Sequence, residues 1–428
     1  MIWHIATCSK MREPAWLRFV LKEVCMLEGK APREQLGHYP LERLKRVDKP
    51  TTYVGPNVQR VSERQAGFIK ASLGEYGPRI QAEAARFIAK EPVGASLSKM
   101  IKDLGSLAPV DVYPKVAPIP QDLAAQSRHI KALGYFLRAD CIGICELPQY
   151  AVYTSDREDR PVELDHKYAI VFLIDQGWRS FNGGLGSDWI SGAQSMKSYS
   201  TSGFIATVMA NYIRRLGYEA KPHFSDHYKV VMPPLVLLSG LGEMSRFGNT
   251  VINPFLGPRF KASAVTTNLP LEPDKPIDFG LQHYCKVCKK CARECPSQSI
   301  SYSDETIIYN DYETYELDVE ACTRMRVGNP AGASCGRCIR VCPWNKPYEG
   351  VHKLVEWTLE RVALSHRFSV WMDDLLGYGK QNIEDKWWYD LEEIDGIFQV
   401  PERIGAVVKS SPLARKREIL PIDEEDET

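Results

Sequence analysis

Eight of the chain's twelve cysteines fall between Cys285 and Cys342, in two runs that each end in a Cys-Pro pair. The first run is Cys285, Cys288, Cys291 and Cys295, followed by Pro296, and the second is Cys322, Cys335, Cys338 and Cys342, followed by Pro343. Runs of this kind are typical of two-cluster ferredoxins, in which the last cysteine of a run binds the other cluster. The spacing therefore predicts two [4Fe–4S] clusters.

This exchange of the last cysteine predicts two ligand sets. The first thiol set is Cys285, Cys288, Cys291 and Cys342, and the second thiol set is Cys295, Cys322, Cys335 and Cys338. Structural zinc is the alternative, because zinc sites also use Cys-x-x-Cys pairs. A repeated run closed by proline favours iron–sulfur clusters over zinc.

The other four cysteines, Cys8, Cys25, Cys141 and Cys145, show no ligand spacing. Free cysteines of this kind behave as small apolar residues. We expect them to be buried and to bind no metal.

Composition narrows the classes of protein that fit. The 428 residues carry 54 Lys and Arg against 54 Asp and Glu, so no overall basic charge points to a nucleic acid or an anionic membrane surface. No apolar run reaches the roughly 18 residues that span a bilayer, and the N-terminus lacks the pattern of a secretory signal. We therefore expect a cytoplasmic protein with no membrane and no nucleic acid partner. In such a compartment clustered cysteines favour metal over disulfides.

The Pro-rich passage Ala108–Asp122 predicts a domain boundary. Residues 1–110 are expected to be helical or mixed, 111–278 to form an α/β core, 279–350 to hold the clusters, and 351–428 to be helical with a charged tail. Within the core, Tyr168–Ile174 predicts a buried strand and Ser195–Leu216 a long helix that stops at Gly217.

Three segments resemble the corrinoid-dependent reductive dehalogenases: Gly240–Asn249, Gly257–Ile300 and Asn329–Lys346. The resemblance covers roughly residues 120–350. It implies an α+β fold in which a nitroreductase-like α/β cobalamin-binding core adjoins a two-cluster bacterial ferredoxin-like domain with peripheral helices. It also implies base-off cobalamin, a halogenated aromatic substrate such as a halophenol, and a separate ferredoxin or flavin reductase as electron donor. The absence of a leader suggests the cytoplasmic, catabolic type.

The same resemblance implies a tyrosine proton donor with a serine four residues before it. The segment SMKSYS offers Tyr199 and Ser195 at this spacing, which places both on one face of the expected helix. A free phenol titrates near about pH 10, so it is a poor acid unless its anion is stabilised. A nearby cation is expected to lower the pKa of Tyr199 and to hold a substrate phenolate.

The cation implied by the resemblance falls in the segment GPRFK, where Lys261 fits best and Arg259 is the second choice. A further arginine is expected from the region after Cys322, with Arg326 or Arg324 as the candidates. Contacts with the corrinoid are expected in the neighbourhood of Phe260–Thr267. The residues concerned are Phe260, Ala264, Val265 and Thr266.

Two other functions remain open at this point. Epoxyqueuosine reductase, a related tRNA-modifying enzyme, uses an Asp-Thr-Gly-Pro segment that this chain lacks. A non-catalytic two-cluster electron carrier is the other, although it has no need of a large core before its clusters. Aromatic residues near the C-terminus, Trp371, Trp387, Trp388 and Tyr389, are suited to a homodimer contact.

Overall fold

The computed structural model describes residues 35–106, 111–184, 190–329, 334–362, 365–382, 385, 392–395 and 397–399. The strands are β1 Cys141–Glu146, β2 Tyr168–Asp175, β3 Ala220–His223, β4 Glu243–Met244, β5 Val251–Ile252, β6 Phe260–Thr267, β7 Ile307–Tyr309, β8 Tyr312–Thr314, β9 Glu392–Ile394 and β10 Ile397–Gln399. The helices are α1 Gly67–Ser72, α2 Pro78–Arg86, α3 Pro92–Ser106, α4 Leu123–Phe136, α5 Trp178–Gly183, α6 Ile190–Arg215, α7 Met232–Leu238, α8 Leu281–Cys288, α9 Lys290–Arg293, α10 Val319–Gly328, α11 Arg337–Val341, α12 Val351–Arg361 and α13 Ser365–Leu375. Single 3-10 turns occur at Leu41–Arg43, Glu63–Gln65, Ile88–Lys90 and Gln149–Ala151.

The central sheet is antiparallel, with strand order β1-β2-β6-β3. Both of its faces are buried, which explains why β2 reads as a continuous apolar run instead of an alternating one. On one face of the sheet, the side chains of Ile170, Phe172 and Ile174 pack against α6 and α3. On the other face, the side chains of Ala169, Val171 and Leu173 pack against α7. The sheet therefore separates two hydrophobic cores.

Helix α6 lies across the face formed by β6 and β3 and also packs against α3. It is rich in small residues, and at Gly203 a methyl group would come within 2.9 Å of the Phe224 ring. The helix ends before Gly217, whose φ of +85° suits glycine at a helix C-terminus. The predicted strand and the predicted long helix are both confirmed.

The cysteine-rich region follows the sheet as short helices and a β7–β8 hairpin. An N-terminal strap, residues 41–63, is hydrogen bonded to this region and to the core. Arg46 donates to the carbonyls of Gly240 and Lys275, and Val54 forms a bridge with Tyr312. The expected division into four domains stays a prediction, and residues 1–34 and 107–110 lie outside the described residues.

The fold confirms the expected α+β class. Cys141 and Cys145 are buried on β1, as predicted, whereas Cys8 and Cys25 lie outside the described residues. Within the described part of the chain, no helix combines the length and apolar character needed to cross a bilayer.

Candidate functional site

The first thiol set surrounds one cavity. Helix α8 supplies Cys285 and Cys288, α9 supplies Cys291, and Cys342 follows α11. Lys289, with a φ of +53°, makes the tight turn between α8 and α9, so that successive sulfurs face one side. All four thiols line the cavity, together with Arg246, Phe247, Ile252, Tyr284, Lys289, Pro343 and Trp344.

The second thiol set is also brought together. Burial is the main cause that raises the pKa of Cys335 to about 11; the Arg337 backbone N–H and the Arg326 charge oppose this shift, and the neighbouring thiols of Cys322 and Cys295 add to it. Burial likewise raises the pKa of Cys338, with added contributions from Cys335, Cys322 and Cys295. Four half-buried cysteines that lie near one another are suited to a bound metal group, because binding replaces the protons of their thiols.

The donor chemistry and the cavity fit clusters. Among the described residues, no three metal-ligating side chains converge on a point where a single ion would sit. The first thiol set instead encloses a space. The individual ligand assignments stay predictions.

Tyr199 and Lys261 lie side by side. Tyr199 is on α6 and Lys261 is on β6, with Nζ of the lysine 5.0 Å from the centre of the phenol ring. Both side chains are half-buried. Neither the phenol oxygen nor the ammonium group has a hydrogen-bond or ion-pair partner in the part of the chain that the structure describes. Two polar groups are thus left available to a ligand.

Burial controls the protonation of this pair. It lowers the pKa of Lys261 to about 7, and the positive charge of Arg326 acts in the same direction while Cys338 opposes it. Burial raises the pKa of Tyr199; Arg326 opposes this shift and Asp226 adds to it. The cation Arg326 thus acts in the expected direction, but the pKa of Tyr199 is raised overall because desolvation of the phenolate outweighs the attraction.

Arg326, not Arg324, faces the site. The Arg326 guanidinium lies 4.3 Å from the centre of the Phe68 ring and donates to Ser334 at 3.4 Å. Arg324 instead pairs with Glu320 one turn earlier on α10. Of the two candidates from the sequence, Arg326 is the one that interacts electrostatically with Tyr199 and Lys261.

Arg259 has a different environment from Lys261. It is 2% exposed, donates to Asp175 at 2.7 Å and also donates to Asn345. These partners satisfy its charge inside the protein. Ser195 is similarly engaged, because its hydroxyl donates to Gln176 at 3.0 Å.

The residues expected to contact a corrinoid lie mainly inside the sheet. Ala264 and Val265 are buried in the two opposite cores, and the Thr266 hydroxyl is within 2.8 Å of ring nitrogens of His166 and His223. Phe260 is half-buried at the start of β6. Packing thus occupies three of these four side chains, and their cofactor role stays a prediction.

Two aromatic residues near the site were missed by sequence reasoning. The Arg326 guanidinium lies over the ring of Phe68 on α1. Burial is the main cause that raises the pKa of Tyr228, and the nearby Tyr199 raises it further. The Tyr228 hydroxyl donates to the carbonyl of Ala262, next to Lys261. No motif marks either residue, since each reaches the site through tertiary packing alone.

Comparisons with known proteins agree with these groupings. Residues 284–346 match the family model of the 4Fe-4S dicluster domain. The tetrachloroethene reductive dehalogenase of Sulfurospirillum multivorans is 37% identical over 184 residues, which are 42% of this chain and 36% of that protein. The chain is related to the reductive dehalogenases. The dicluster match also confirms the expected pair of [4Fe–4S] clusters over structural zinc.

Solved reductive dehalogenase structures share the fold. One, described as suggesting a mechanism for B12-dependent dehalogenation, is 40% identical with a TM-score of 0.83, over 91% of this chain and 55% of that chain. The catabolic reductive dehalogenase NpRdhA, in complex with 3-bromo-4-hydroxybenzoic acid, is 42% identical with a TM-score of 0.81, over 86% of this chain and 53% of that one. The chain thus spans about half the length of these solved reductive dehalogenases.

Epoxyqueuosine reductase is a more distant relative. The enzyme of Atelocyanobacterium thalassa is 33% identical over 115 residues, which are 26% of this chain and 36% of that protein. This agrees with the expected relationship between the two families.

Proposed function

We propose that the chain is a reductive dehalogenase that removes halide from a halogenated aromatic, a halophenol, with cobalamin and two [4Fe–4S] clusters as cofactors and Tyr199 as proton donor. One observation carries the proposal. Tyr199 and Lys261 lie side by side with unpartnered polar groups, and Lys261 interacts electrostatically with Cys338 of the second thiol set. An acid, a cation and an electron supply are thus adjacent.

Residues around this pair fit a corrinoid. The half-buried Tyr199 hydroxyl and Lys261 ammonium are polar groups that the described protein leaves without partners, as a site for a second molecule requires. Bound cobalamin would supply the reduced cobalt centre that carbon–halogen cleavage needs. The protein's own part is to hold the aromatic ring, deliver a proton and conduct electrons.

Tyr199 supplies the proton. Replacing halogen by hydrogen on a ring takes two electrons and one proton and releases a halide ion. Because burial raises the pKa of Tyr199, the phenol stays protonated at neutral pH and its proton is in place before the reaction. Arg326 stabilises the phenolate that remains after transfer, and solvent then returns the proton.

Lys261 and Arg326 hold the substrate oxygen. Two cations next to a half-buried phenol ring favour a substrate that carries a negative charge, such as an ionised halophenol. NpRdhA, one of the related structures, is in complex with 3-bromo-4-hydroxybenzoic acid, a halogenated phenol. The shared fold and the local charge support the same substrate class here.

The finer parts of the proposal follow from the sequence. They are the nitroreductase-like core, the four-domain division, the cytoplasmic catabolic type, and electrons from a separate ferredoxin or flavin reductase. A homodimer contact is proposed on the aromatic C-terminal residues. Trp371 on α13 is 56% exposed, whereas Trp387, Trp388 and Tyr389 lie outside the described residues.

Replacing Tyr199 by Phe tests the proton donor. Protein reconstituted without oxygen should contain iron and corrinoid and should release halide from a bromophenol when reduced. Tyr199→Phe should lower halide release by about 100-fold or more, as expected for loss of a general acid, while the corrinoid stays bound. Tyr212→Phe, on the same helix but paired with His129, is the control and should retain activity.

The outcomes separate the competing functions. Iron without corrinoid would leave an electron carrier as the better description. Iron and corrinoid with turnover of an epoxyqueuosine-containing tRNA stem loop, and no halide release, would support the tRNA-modifying alternative. Retained halide release in Tyr199→Phe would refute the role of this tyrosine.

A further inference from the structure

We propose that Arg246 and Trp344 donate hydrogen bonds to the [4Fe–4S] cluster of the first thiol set and thereby raise its reduction potential. The inference rests on the proposed cluster pair but not on the dehalogenation reaction. Neither residue has a role in the chemistry described so far.

Arg246 is fixed against the cluster cavity. It is 1% exposed, and its Nε donates to the carbonyl of Cys285 at 2.9 Å. Its Nη1 donates to the carbonyls of Ser301 and Ser303. The remaining nitrogen, Nη2, is buried and has no partner among the described residues. Three contacts therefore hold the guanidinium in place while one donor group is left over beside the cavity that Arg246 lines.

Among the described residues, no carboxylate forms an ion pair with Arg246. Its hydrogen-bond partners are neutral carbonyls, and the ring of Tyr315 lies 4.1 Å from its guanidinium carbon. Asp304 lies within electrostatic range of Arg246, but its ion pair at 2.7 Å is with Lys289. A buried guanidinium without a carboxylate partner costs free energy unless a negative group lies next to it.

Trp344 presents a second unused donor. It is 2% exposed, and its Nε1 is buried with no partner in the part of the chain that the structure describes. The rings of Phe279 and Tyr284 pack edge-on against it, with centres 5.0 and 5.7 Å away. These contacts fix the indole where it lines the cavity of the first thiol set. An indole N–H has no acceptor function, so it needs an acceptor when it is buried.

Both donors border the same space. Unpartnered buried side-chain atoms are uncommon and call for an explanation. Of the six that the described residues contain, Arg246 Nη2 and Trp344 Nε1 belong to side chains that line this cavity. A cubane cluster held by Cys285, Cys288, Cys291 and Cys342 would place its sulfur acceptors there.

The direction of the effect follows from charge. The reduced cluster carries one more negative charge than the oxidised cluster, and hydrogen bonds to the sulfurs favour the more negative state. A positive guanidinium favours it further. One electron enters and no covalent bond changes, so the two residues act only on the equilibrium of that electron transfer.

Trp344→Phe is the most direct test, because it keeps an aromatic ring and removes the N–H. The potentials of both clusters are measured by anaerobic redox titration followed by electron paramagnetic resonance. Trp344→Phe should lower one potential so that the equilibrium constant for its reduction falls several-fold. Arg246→Gln should lower the same potential by about 59 mV, which corresponds to an about tenfold smaller equilibrium constant for reduction. Arg246→Lys, which keeps the charge, should recover part of the shift.

Two controls make the test specific. Trp357→Phe on α12, where Arg361 rests on the indole ring, should change neither potential. Arg326→Gln should shift the other potential, because Arg326 interacts with Cys322, Cys335 and Cys338 of the second thiol set.

Iron content and halide release separate this inference from the proposed function. Normal iron with unchanged potentials in Trp344→Phe and Arg246→Gln would overturn the inference, and so would equal shifts of both clusters. If Arg246→Gln loses iron, the cluster potentials of Trp344→Phe and Arg246→Lys decide whether the inference holds. If the reconstituted parent protein releases no halide, the proposed function is refuted, but the measured potentials still test the inference.

Discussion

Arg259 and Lys261 are two positions apart, yet their surroundings are opposite. Arg259 is satisfied by Asp175 and Asn345, whereas Lys261 lies over the face of the Tyr199 ring and has no hydrogen-bond or ion-pair partner among the described residues. Both are cations in one short segment, and only the resemblance to a family ranked Lys261 before Arg259. Only the partner residues, which come from distant parts of the chain, decide which cation is free to meet a ligand.

The charge of Lys261 predicts how activity depends on pH. Its pKa is lowered to about 7, so the ammonium form is present below pH 7 and is lost as the pH rises through that value. For a halophenol that is already ionised at pH 6, KM should rise above pH 7. A hydrogen bond to a charged group contributes about 1.5–3 kcal/mol, so Lys261→Met should raise KM about tenfold or more at pH 6.

Steady-state halide release, measured from about pH 5.5 to about pH 8.5, checks this prediction, because the range extends to either side of the lowered pKa of Lys261. Lys261→Met should also remove the rise in KM above pH 7. Lys99→Met, at an exposed pair with Asp103, serves as control and should behave as the parent protein. An equal loss of activity on a halogenated substrate without a phenol would argue against phenolate binding.

At the scale of elements, α10 links the electron supply to the site. Cys322 and Arg326 are four residues apart on this helix, so a cluster ligand and the arginine of the site lie on one face. Asp318 precedes the helix and caps it, because its carboxylate accepts a hydrogen bond from the backbone N–H of Ala321 at 2.9 Å. A shift of α10 would therefore move both functional groups together.

Removing this cap should loosen the helix. Asp318→Ala should lower the free energy of unfolding by about 1 kcal/mol, because it leaves N–H groups of the first turn without an acceptor. Asp318→Asn should retain most of the stability, since the amide oxygen can still accept. Chemical denaturation of the two variants measures the difference, and equal losses would show that the carboxylate acts by charge and not as a cap.

The elements were the more predictable part of the molecule. The apolar run of β2 and the stop at Gly217 after α6 are local signals, and the structure follows both. The pairing of β2 with β6 could not be read in the same way, because partners such as Ile170 and Val265 are far apart in sequence. The order β1-β2-β6-β3 likewise depends on backbone pairing between segments that are distant in sequence.

At the scale of the whole molecule, the hydrophobic cores differ in whether they contain predicted cluster ligands. The two cores around the sheet contain none of the eight predicted cluster ligands. A third core, around Phe279, Tyr284 and Trp344, includes Cys285, Cys291 and Cys342. The sheet can therefore stay packed without metal, whereas the third core depends on what fills the cavity between its thiols.

Removal of iron should act on one part of the fold. Anaerobic chelation should increase amide hydrogen exchange across residues 281–346, because metal binding contributes free energy to the folding of such a region. Strands β1, β2 and β6 should keep their protection. Mass spectrometry of peptides from both regions measures this, and a uniform loss of protection would contradict the division of the cores.

The site was predictable only where the sequence carries a pattern. Cysteine spacing led to the two thiol sets, and resemblance to a family led to Tyr199, Lys261 and Arg326. Phe68, Arg246 and Trp344 were not assigned roles, because packing brings them to the site and no local spacing marks them. The same limit explains why the raised pKa of Tyr199 was not predicted, since it depends on burial that a sequence does not display.

The N-terminal strap has a consequence for the order of biosynthesis. The backbone N–H of Asn57 donates to the side chain of Asp311, which is 254 residues away, and Gly55 donates to the Asp311 carbonyl. A ribosome that makes the chain from its N-terminus completes this segment long before its partners exist. These contacts of the strap can therefore form only after the β7–β8 hairpin has been made, and four of the eight predicted cluster ligands follow it in the chain.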